Sequence, residues 1–326
     1  MSRHASYRPP WWLPGGHLQT IHASLAAQPR AVPHYRRTRW ESPDGDFVDI
    51  DWIDGAATAP LLILFHGLEG GSRSHYARAL MHAASVRGWR GAVAHFRGCS
   101  GEPNRLPRAY HSGDTTEAAW LLARFHEAAG AAPLLAVGVS LGGNVLLKWA
   151  GEQGEAACRV IAAAVAVSPP VDLRSCGEKL ALGFNRVYTR MFLSTMKAKG
   201  EEKAARFPGS FDLEAMRRSS TLREYDDVVT APLHGYIDCD DYWSRASSRP
   251  FLRGIRVPTL LLSARNDPFL GAECFPGREH VSDRVTLEYT RHGGHVGFVG
   301  GRFPGLLDWL PGRIIRHFSD SVHGLA

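Results

Sequence analysis

The sequence predicts an α/β protein built on a mostly parallel, doubly wound sheet. From about residue 60 onward, short apolar runs alternate with segments of helical periodicity. The apolar runs are continuous, which is typical of strands that helices cover on both faces. One run leads directly into Gly138-Val139-Ser140-Leu141-Gly142 and then into a helical pattern. Repeated alternation of this kind favours parallel strands joined by crossover helices.

Six apolar runs are predicted to form the central strands. They cover residues 61–65, 91–95, 134–139, 160–167, 259–263 and 285–289. Two earlier runs, 36–40 and 47–53, are interpreted as antiparallel edge strands. Pro43-Asp44-Gly45 lies between them, and this composition favours a tight turn.

Three segments between these strands are predicted to be helices, at 76–87, 115–129 and 141–151. Ser112 and Asp114 precede the second helix. Side chains of these two types accept hydrogen bonds from the free amides of a first helical turn. We therefore expect both residues to cap that helix.

Residues 1–326 are predicted to form a single domain with one largely helical cap inserted at about 171–250. The strand–helix alternation stops between Ser168 and Arg256, a distance far greater than a crossover helix needs. Six residues in this segment fall at helical spacing and predict one apolar helix face packed on the domain: Leu180, Phe184, Val187, Tyr188, Met191 and Thr195. Docking on a membrane surface is the alternative, because basic residues are in surplus there.

Composition points to an ordinary globular protein. The 326 residues are 44% hydrophobic and 21% charged, and the formal net charge is +6. Basic residues are mixed with acidic ones, which favours a solvated surface over nucleic-acid binding. The five scattered cysteines lack metal-site spacing and are expected to be reduced. The N-terminus has no apolar signal region and no apolar run is long enough for a membrane span, so a cytoplasmic protein is predicted.

Ser140 is the candidate nucleophile. The Gly-x-Ser-x-Gly pattern between a strand and a helix is typical of a sharp turn that exposes a serine above the sheet edge. Flanking glycines are needed there because side chains would collide with neighbouring backbone. Chance alone would produce such a pentapeptide about once in four chains of this composition, so the surrounding pattern carries the interpretation.

Asp267 and His295 are the candidate acid and base. Asp267 directly follows the predicted strand 259–263, at the sheet edge where α/β proteins place their sites. His295 lies in a glycine-rich loop after the last strand, where it can reach over that edge. His292 is the local alternative, but the glycine pair precedes His295. The order serine, aspartate, histidine is typical of one class of serine hydrolases.

The backbone amides of Leu68 and Leu141 are the candidate oxyanion hole. Leu68 lies in Phe65-His66-Gly67-Leu68-Glu69-Gly70-Gly71, a glycine-rich loop directly after a strand, and Leu141 follows the nucleophile. A phosphate-binding loop is disfavoured, because no Gly-Lys-Ser/Thr or G-x-G-x-x-G pattern is present. No H-E-x-x-H pattern occurs either, and His234 with its neighbouring aspartates lacks ligand spacing. No cofactor or metal is predicted.

Seven blocks of the sequence together resemble the YheT-like family of α/β-hydrolases. They are Gly15–Thr20, His66–Gly70, Phe96–Asn104, Tyr110–Asp114, Gly138–Asn144, Thr230–Gly235 and Gly293–Phe298. The resemblance implies an α/β-hydrolase fold with a cap, and a triad at Ser140, Asp267 and His295. It also implies carboxylic-ester hydrolysis, with relatives among eukaryotic lipases and acyltransferases that often carry a membrane anchor.

The residues and the resemblance together predict a serine hydrolase that cleaves short- to medium-chain carboxylic esters through an acyl-enzyme. An acyltransferase, lipase or phospholipase with the same triad is the alternative, and a non-catalytic binding protein is the second. The expected partner is a small ester with an apolar acyl chain. The protein is not expected to insert stably into a membrane, and peripheral contact with one is the alternative. Aromatic residues of the cap are expected to close the acyl pocket: Phe184, Tyr188, Phe192, Tyr225, Tyr236, Tyr242 and Trp243.

Overall fold

An eight-stranded sheet forms the centre of the protein. The computed structural model describes residues 7–27, 29, 31, 33–322 and 324–325. The strands are β1 (Arg36–Glu41), β2 (Phe47–Ile53), β3 (Leu61–Phe65), β4 (Arg90–Ala94), β5 (Leu134–Val139), β6 (Ala163–Val167), β7 (Thr259–Ala264) and β8 (Val285–Thr290). Their spatial order is β1-β2-β4-β3-β5-β6-β7-β8. The pairs β1–β2 and β2–β4 are antiparallel and the other five pairs are parallel, which confirms the predicted mostly parallel sheet.

Helices lie on both faces of the sheet and in one long insertion. They are α1 (Gly16–Leu25), α2 (His75–Val86), α3 (Thr115–Ala129), α4 (Leu141–Gln153), α5 (Leu173–Leu180), α6 (Arg186–Arg206), α7 (Leu213–Arg218), α8 (Leu222–Tyr225), α9 (Ala231–Leu233), α10 (Cys239–Ala246) and α11 (Trp309–Ser321). A π-helical turn, Asp226–Thr230, joins α8 to α9. Helices α5 to α10 lie between β6 and β7, and we call residues 168–258 the helical insertion.

Two apolar layers cover the sheet. Strand β3 shows why the apolar run is continuous: Leu61, Ile63 and Phe65 pack with residues of α3 and α4, while Leu62 and Leu64 pack with residues of α2 and α11. Successive side chains of a strand point to opposite faces, so both sets must be apolar when both faces are covered. This packing places the ends of the central strands between two helical layers.

The observed elements differ from the predicted ones at several points. Strand β6 begins at Ala163 rather than at residue 160, because Val160 still closes the preceding 3₁₀ turn through its amide. Asp114 caps α3 by accepting a hydrogen bond from Glu117 N, whereas the amide of Ser112 donates to Tyr242 Oη instead. Helices α1 and α11 were not predicted. On α1 the buried residues Gln19 and Thr20 are polar, and in α11 Pro311 and Gly312 of the first turn have low helix propensity.

The prediction of one packed apolar stripe in the insertion is wrong. Leu180 ends α5, and Gly183 adopts a φ of +52° before α6 begins. The break rotates α6, so that Tyr188 is buried while Val187 and Met191 are exposed. Among the residues that the structure describes, no helix combines the length and the apolar character needed to cross a membrane. The first six residues, which formed part of the argument against a signal peptide, lie outside the described residues.

Candidate active site

Ser140 stands at the turn between β5 and α4. Its backbone adopts φ 52° and ψ −120°, a conformation that residues with a side chain rarely take. A Cβ at Gly142 would lie 2.4 Å from the carbonyl oxygen of Phe65, and a Cβ at Gly138 would lie 2.4 Å from that of Gly142. Only glycine fits at these two positions, and the close packing turns Ser140 out above the strand ends.

Three side chains predicted from the sequence form one hydrogen-bonded chain. His295 Nε2 lies 3.0 Å from Ser140 Oγ, and His295 Nδ1 lies 2.9 Å from Asp267 Oδ2. The other carboxylate oxygen of Asp267 accepts a hydrogen bond of 2.8 Å from the amide of Phe269. Asp267 is 1% exposed. The alternative residue, His292, is absent from the described residues that line the adjoining cavity.

Helix α1 holds the histidine loop in place. Thr20 Oγ1 accepts a hydrogen bond of 2.8 Å from the amide of His295, and the buried Gln19 Oε1 accepts one of 2.9 Å from the amide of Gly293. Gln19 Oε1 also accepts from the side-chain amide of Asn266, the residue before Asp267. One helix therefore supports both the loop of the aspartate and the loop of the histidine.

The loop after β3 presents the amide of Leu68 between two tyrosine hydroxyls. Tyr76 Oη accepts a hydrogen bond of 2.9 Å from the amide of Gly67, and Tyr110 Oη accepts one of 3.0 Å from the amide of Glu69. The described residues provide no acceptor for the Leu68 amide itself. Leu141 is the first residue of α4, so its amide has no acceptor within the helix. Both amides are available to a ligand beside Ser140.

Glu69 is the strained residue of this loop, with φ at +55°. Its carboxylate accepts hydrogen bonds of 2.7 Å from Tyr110 Oη and 2.8 Å from Lys199 Nζ. Burial raises the pKa of Tyr110 well above its ordinary value, so the hydroxyl keeps the proton that it donates. Tyr110 thus bonds to both the amide and the carboxylate of Glu69, and it stabilises a backbone conformation that a non-glycine residue otherwise avoids.

A cavity of about 340 Å³ adjoins Ser140 and His295. Leu68, Leu141 and Phe269 line its inner end, and the ring of Phe269 packs 4.2 Å from that of His295, measured between centroids. The helical insertion forms the opposite wall. Of the seven aromatic residues expected around a pocket, four line this cavity, namely Phe192, Tyr225, Tyr242 and Trp243. Phe184 is exposed on the outside of the insertion instead.

Cationic residues of α6 bind the insertion to the segment that follows β4. Besides the ion pair between Lys199 and Glu69, Lys203 Nζ donates hydrogen bonds of 3.1 Å to Asn104 Oδ1 and 2.8 Å to the carbonyl of Leu106. Arg206 donates to the carbonyl of Asn104 at 2.8 Å. Asn104, the last residue of the sequence block Phe96–Asn104, therefore supports the insertion.

Sequence reasoning did not assign Gln19, Thr20 or Tyr110 to the site. All three lie in the sequence blocks that carried the family resemblance, Gly15–Thr20 and Tyr110–Asp114. Their polar side chains act on the site through loop backbone. Their positions in those blocks were the only indication in the sequence that they belong to the site. No spacing rule connects Thr20 with His295, which is 275 residues later in the chain.

The fold and the matched family define the class of this protein. The family model described as the alpha/beta hydrolase fold matches residues 60–300. The structure is similar to that of the esterase PF2001 of Pyrococcus furiosus, with a TM-score of 0.55, 17% sequence identity, and coverage of 90% of this chain and 97% of that one. At this identity the likeness shows the fold alone. The protein is an α/β-hydrolase.

Two curated relatives narrow the family. The chain is 44% identical over 304 residues to the protein of Escherichia coli (strain K12) named "Putative esterase YheT", and the match covers 91% of this chain and 88% of that one. It is 28% identical over 331 residues to Phospholipase ABHD3 of Homo sapiens, covering 98% of this chain and 80% of that protein. The chain belongs to the YheT-like family of α/β-hydrolases, as its sequence blocks predicted.

Proposed function

We propose that this protein is a serine hydrolase that cleaves carboxylic esters with short to medium acyl chains. The observation that carries the proposal is the hydrogen-bonded chain from Ser140 through His295 to Asp267, at the inner end of a partly apolar cavity. A neutral serine needs a base, a residue that orients the base, and donors for the oxyanion. The geometry provides a candidate for each role.

In the first half of the reaction, Ser140 Oγ attacks the acyl carbon of the ester. His295 Nε2 removes the hydroxyl proton, and the Asp267 carboxylate, which accepts from Nδ1, stabilises the resulting imidazolium. The amides of Leu68 and Leu141 donate hydrogen bonds to the carbonyl oxygen as it becomes negative. Collapse of the tetrahedral intermediate breaks the ester C–O bond, and His295 returns the proton to the leaving alkoxide. The acyl group stays on Ser140.

In the second half, water attacks the acyl-enzyme. His295 now removes a proton from the water, and the same two amides stabilise the second oxyanion. Collapse releases the carboxylic acid, and the proton on His295 returns to Ser140 Oγ. An alcohol in place of water would give acyl transfer by the same steps. The name of the human relative as a phospholipase supports a lipid ester as the second candidate substrate.

The helical insertion acts, in this proposal, as a cap that selects the acyl group. Apolar side chains from α5, α6, α8 and α10 line the cavity: Leu173, Leu180, Phe192, Met196, Leu222 and Trp243. Such a lining favours a hydrocarbon chain, while the few polar groups at the inner end orient the ester. A cavity of about 340 Å³ is of the size expected for a small to medium ligand.

The decisive experiment compares Ser140→Ala with Ser168→Ala on a series of p-nitrophenyl esters of increasing acyl length. Ser168 is a matched control because it also has a positive φ, 48°, at the end of the neighbouring strand β6, and it does not line the cavity. We expect Ser140→Ala to lower kcat by a factor on the order of 10⁴ or more. Ser168→Ala should retain turnover.

Labelling with a fluorophosphonate provides a second readout of the same proposal. The native protein and Ser168→Ala should be labelled on one residue, Ser140, whereas Ser140→Ala should not be labelled. Activity that survives in Ser140→Ala would contradict the proposed nucleophile. Adding excess alcohol to the ester assay separates hydrolysis from acyl transfer, since a new ester forms only if the alcohol competes with water for the acyl-enzyme.

A further inference from the structure

The outer face of the insertion carries an exposed apolar patch close to the active site. Four large apolar residues within ten positions are exposed: Leu182 at 68%, Phe184 at 52%, Val187 at 43% and Met191 at 61%. Leu18 of α1 is 52% exposed, and the neighbouring His17 contacts Phe184 with ring centroids 4.7 Å apart. We call these five apolar residues the outer patch. Exposed apolar clusters of this kind mark interaction sites.

The outer patch is cationic at its border and lacks acidic residues along its own segments. Arg186 and Arg190 are exposed on α6 beside Val187 and Met191. The structure shows no ion-pair partner for either arginine within the part of the chain that it describes. No Asp or Glu occurs from Lys179 to Gly200, and none occurs before Glu41, so α1 is also free of acidic residues. This charge pattern complements a negatively charged surface.

Tyr188 and Phe269 connect the outer patch to the proposed catalytic residues, because Tyr188 contacts Phe184 and Phe269 contacts His295. Beneath the outer patch lies a cluster of Leu180, Tyr188 and Phe269, which Ile21 and Phe192 join. Phe269 contacts His295, and Leu180, Phe192 and Phe269 line the cavity. The same apolar cluster therefore contacts the outer patch on one side and lines the acyl cavity on the other.

We propose that the outer patch docks on the surface of an anionic phospholipid bilayer. The apolar residues enter the boundary between headgroups and acyl chains, and Arg186 and Arg190 face the lipid phosphates. This arrangement brings the acyl cavity to the lipid surface, where an ester of low water solubility is concentrated. The role of docking rests on the proposed esterase function. Docking itself is measured as vesicle binding, which does not require enzymatic activity.

The test measures co-sedimentation of the protein with vesicles. Vesicles of phosphatidylcholine with about one third phosphatidylglycerol should bind the protein more tightly than pure phosphatidylcholine vesicles, and added salt should weaken the binding. The double variant Val187→Asp/Met191→Asp should bind anionic vesicles at least about tenfold more weakly. Arg186→Gln and Arg190→Gln should each weaken that binding about fivefold, since one basic residue near such a surface contributes about 1 kcal/mol.

Ile237→Asp is the matched control. Ile237 is 89% exposed on the insertion but lies outside the outer patch, so its replacement should leave vesicle binding unchanged. Val187 and Met191 do not line the cavity, and their double variant should hydrolyse a soluble p-nitrophenyl ester at the native rate. That result separates the two proposals, because a failure of the esterase proposal appears with the soluble ester and a failure of docking appears with vesicles.

Three results would overturn the docking proposal. The first is equal binding to anionic and pure phosphatidylcholine vesicles, or no binding to either. The second is an Ile237→Asp variant that loses as much binding as the double variant. The third is self-association through the outer patch, seen as a dimer in sedimentation velocity that Val187→Asp/Met191→Asp converts to a monomer while vesicle binding is absent.

Discussion

The two walls of the cavity are built in different ways. The sheet wall carries Ser140 and the Leu68 loop, and its shape follows from close backbone packing at glycine and from amides held by tyrosine hydroxyls. The insertion wall is made of side chains on separate helices, and ion pairs and hydrogen bonds from Lys199 and Lys203 of α6 join it to the core. The backbone packing of the sheet wall tolerates few substitutions, whereas the side chains of the insertion wall can be replaced more freely.

In the proposed enzyme, the sheet wall carries out catalysis and the insertion wall selects the substrate. Chemistry at a serine requires donors and bases within a few tenths of an ångström of their productive positions, so it belongs on the wall where backbone sterics decide. Substrate choice tolerates repacking and belongs on the wall of side chains. Changes at the sheet wall should therefore alter turnover, while changes at the insertion wall should alter stability and selectivity.

Asp267→Asn tests the sheet wall with the largest expected effect. The substitution keeps the shape but removes the charge that orients His295 and stabilises its imidazolium. We expect kcat to fall by a factor on the order of 10⁴ in the p-nitrophenyl ester assay. The double variant with Ser140→Ala should lose no more than Ser140→Ala alone, because residues that act as one unit are not additive. A loss below tenfold would show that another acid orients the base.

Asp226→Asn tests the insertion wall through stability. Asp226 accepts hydrogen bonds from Thr230 Oγ1 and Trp243 Nε1, and burial raises its pKa from 3.8 to about 6. Below about pH 3 the carboxyl is protonated in both the folded and unfolded states and carries no penalty. As the pH rises from there through 6, the folded state must hold a buried charge that the unfolded chain exposes to water, so stability is lost.

We therefore expect Asp226→Asn to raise the free energy of unfolding by about 1–2 kcal/mol at pH 8, and this gain should vanish near pH 3. Urea denaturation at the two pH values measures it. Asp283→Asn, at an exposed position before β8, is the control and should change neither value. An Asp226→Asn variant that is less stable than the native protein at pH 8 would contradict the expected sign.

Tyr110→Phe tests the support of the oxyanion loop and has the smallest expected effect. The ring stacks on Phe96 with centroids 5.3 Å apart, and phenylalanine preserves that contact. Loss of the hydroxyl releases Glu69 and with it the orientation of the Leu68 amide. We expect kcat to fall about tenfold with KM nearly unchanged, since the amide acts on the oxyanion more than on the bound ester.

Tyr289→Phe is the matched control for that variant. Tyr289 Oη donates a hydrogen bond of 2.8 Å to the carbonyl of Pro276, and this tyrosine lies outside the cavity. The Tyr289→Phe variant should keep the kcat of the native protein. If Tyr110→Phe raised KM without lowering kcat, the hydroxyl would serve substrate binding and the assigned positioning role would be wrong.

Most of the sheet could be predicted because its signals are local. A run such as Leu61–Phe65 is apolar at every position, and this pattern indicates a strand covered on both faces. The turn at Ser140 is equally local, since strand, glycines and helix are adjacent in the chain. Helix α1 could not be found in this way, because Gln19 and Thr20 are turned inward to support loops that come more than 240 residues later.

The insertion shows the opposite case. Its apolar residues predicted one packed helix face, but Gly183 interrupts the helix and leaves Val187 and Met191 in solvent. Periodicity indicates that apolar residues share a face, but it does not tell which surface, if any, covers that face. The predicted domain limits and the catalytic roles of the site residues stay predictions for the experiments above.

The sequence by itself determined the positions of the central strands and the serine turn, because each depends on residues close together in the chain, and it determined the family through short local blocks. The tertiary structure decided that His295, 155 residues from Ser140, and not His292 lies against its hydroxyl. It also decided which side of α6 faces water. Both features depend on how segments that are distant in the chain pack together. Local backbone preferences and periodicity do not predict that packing.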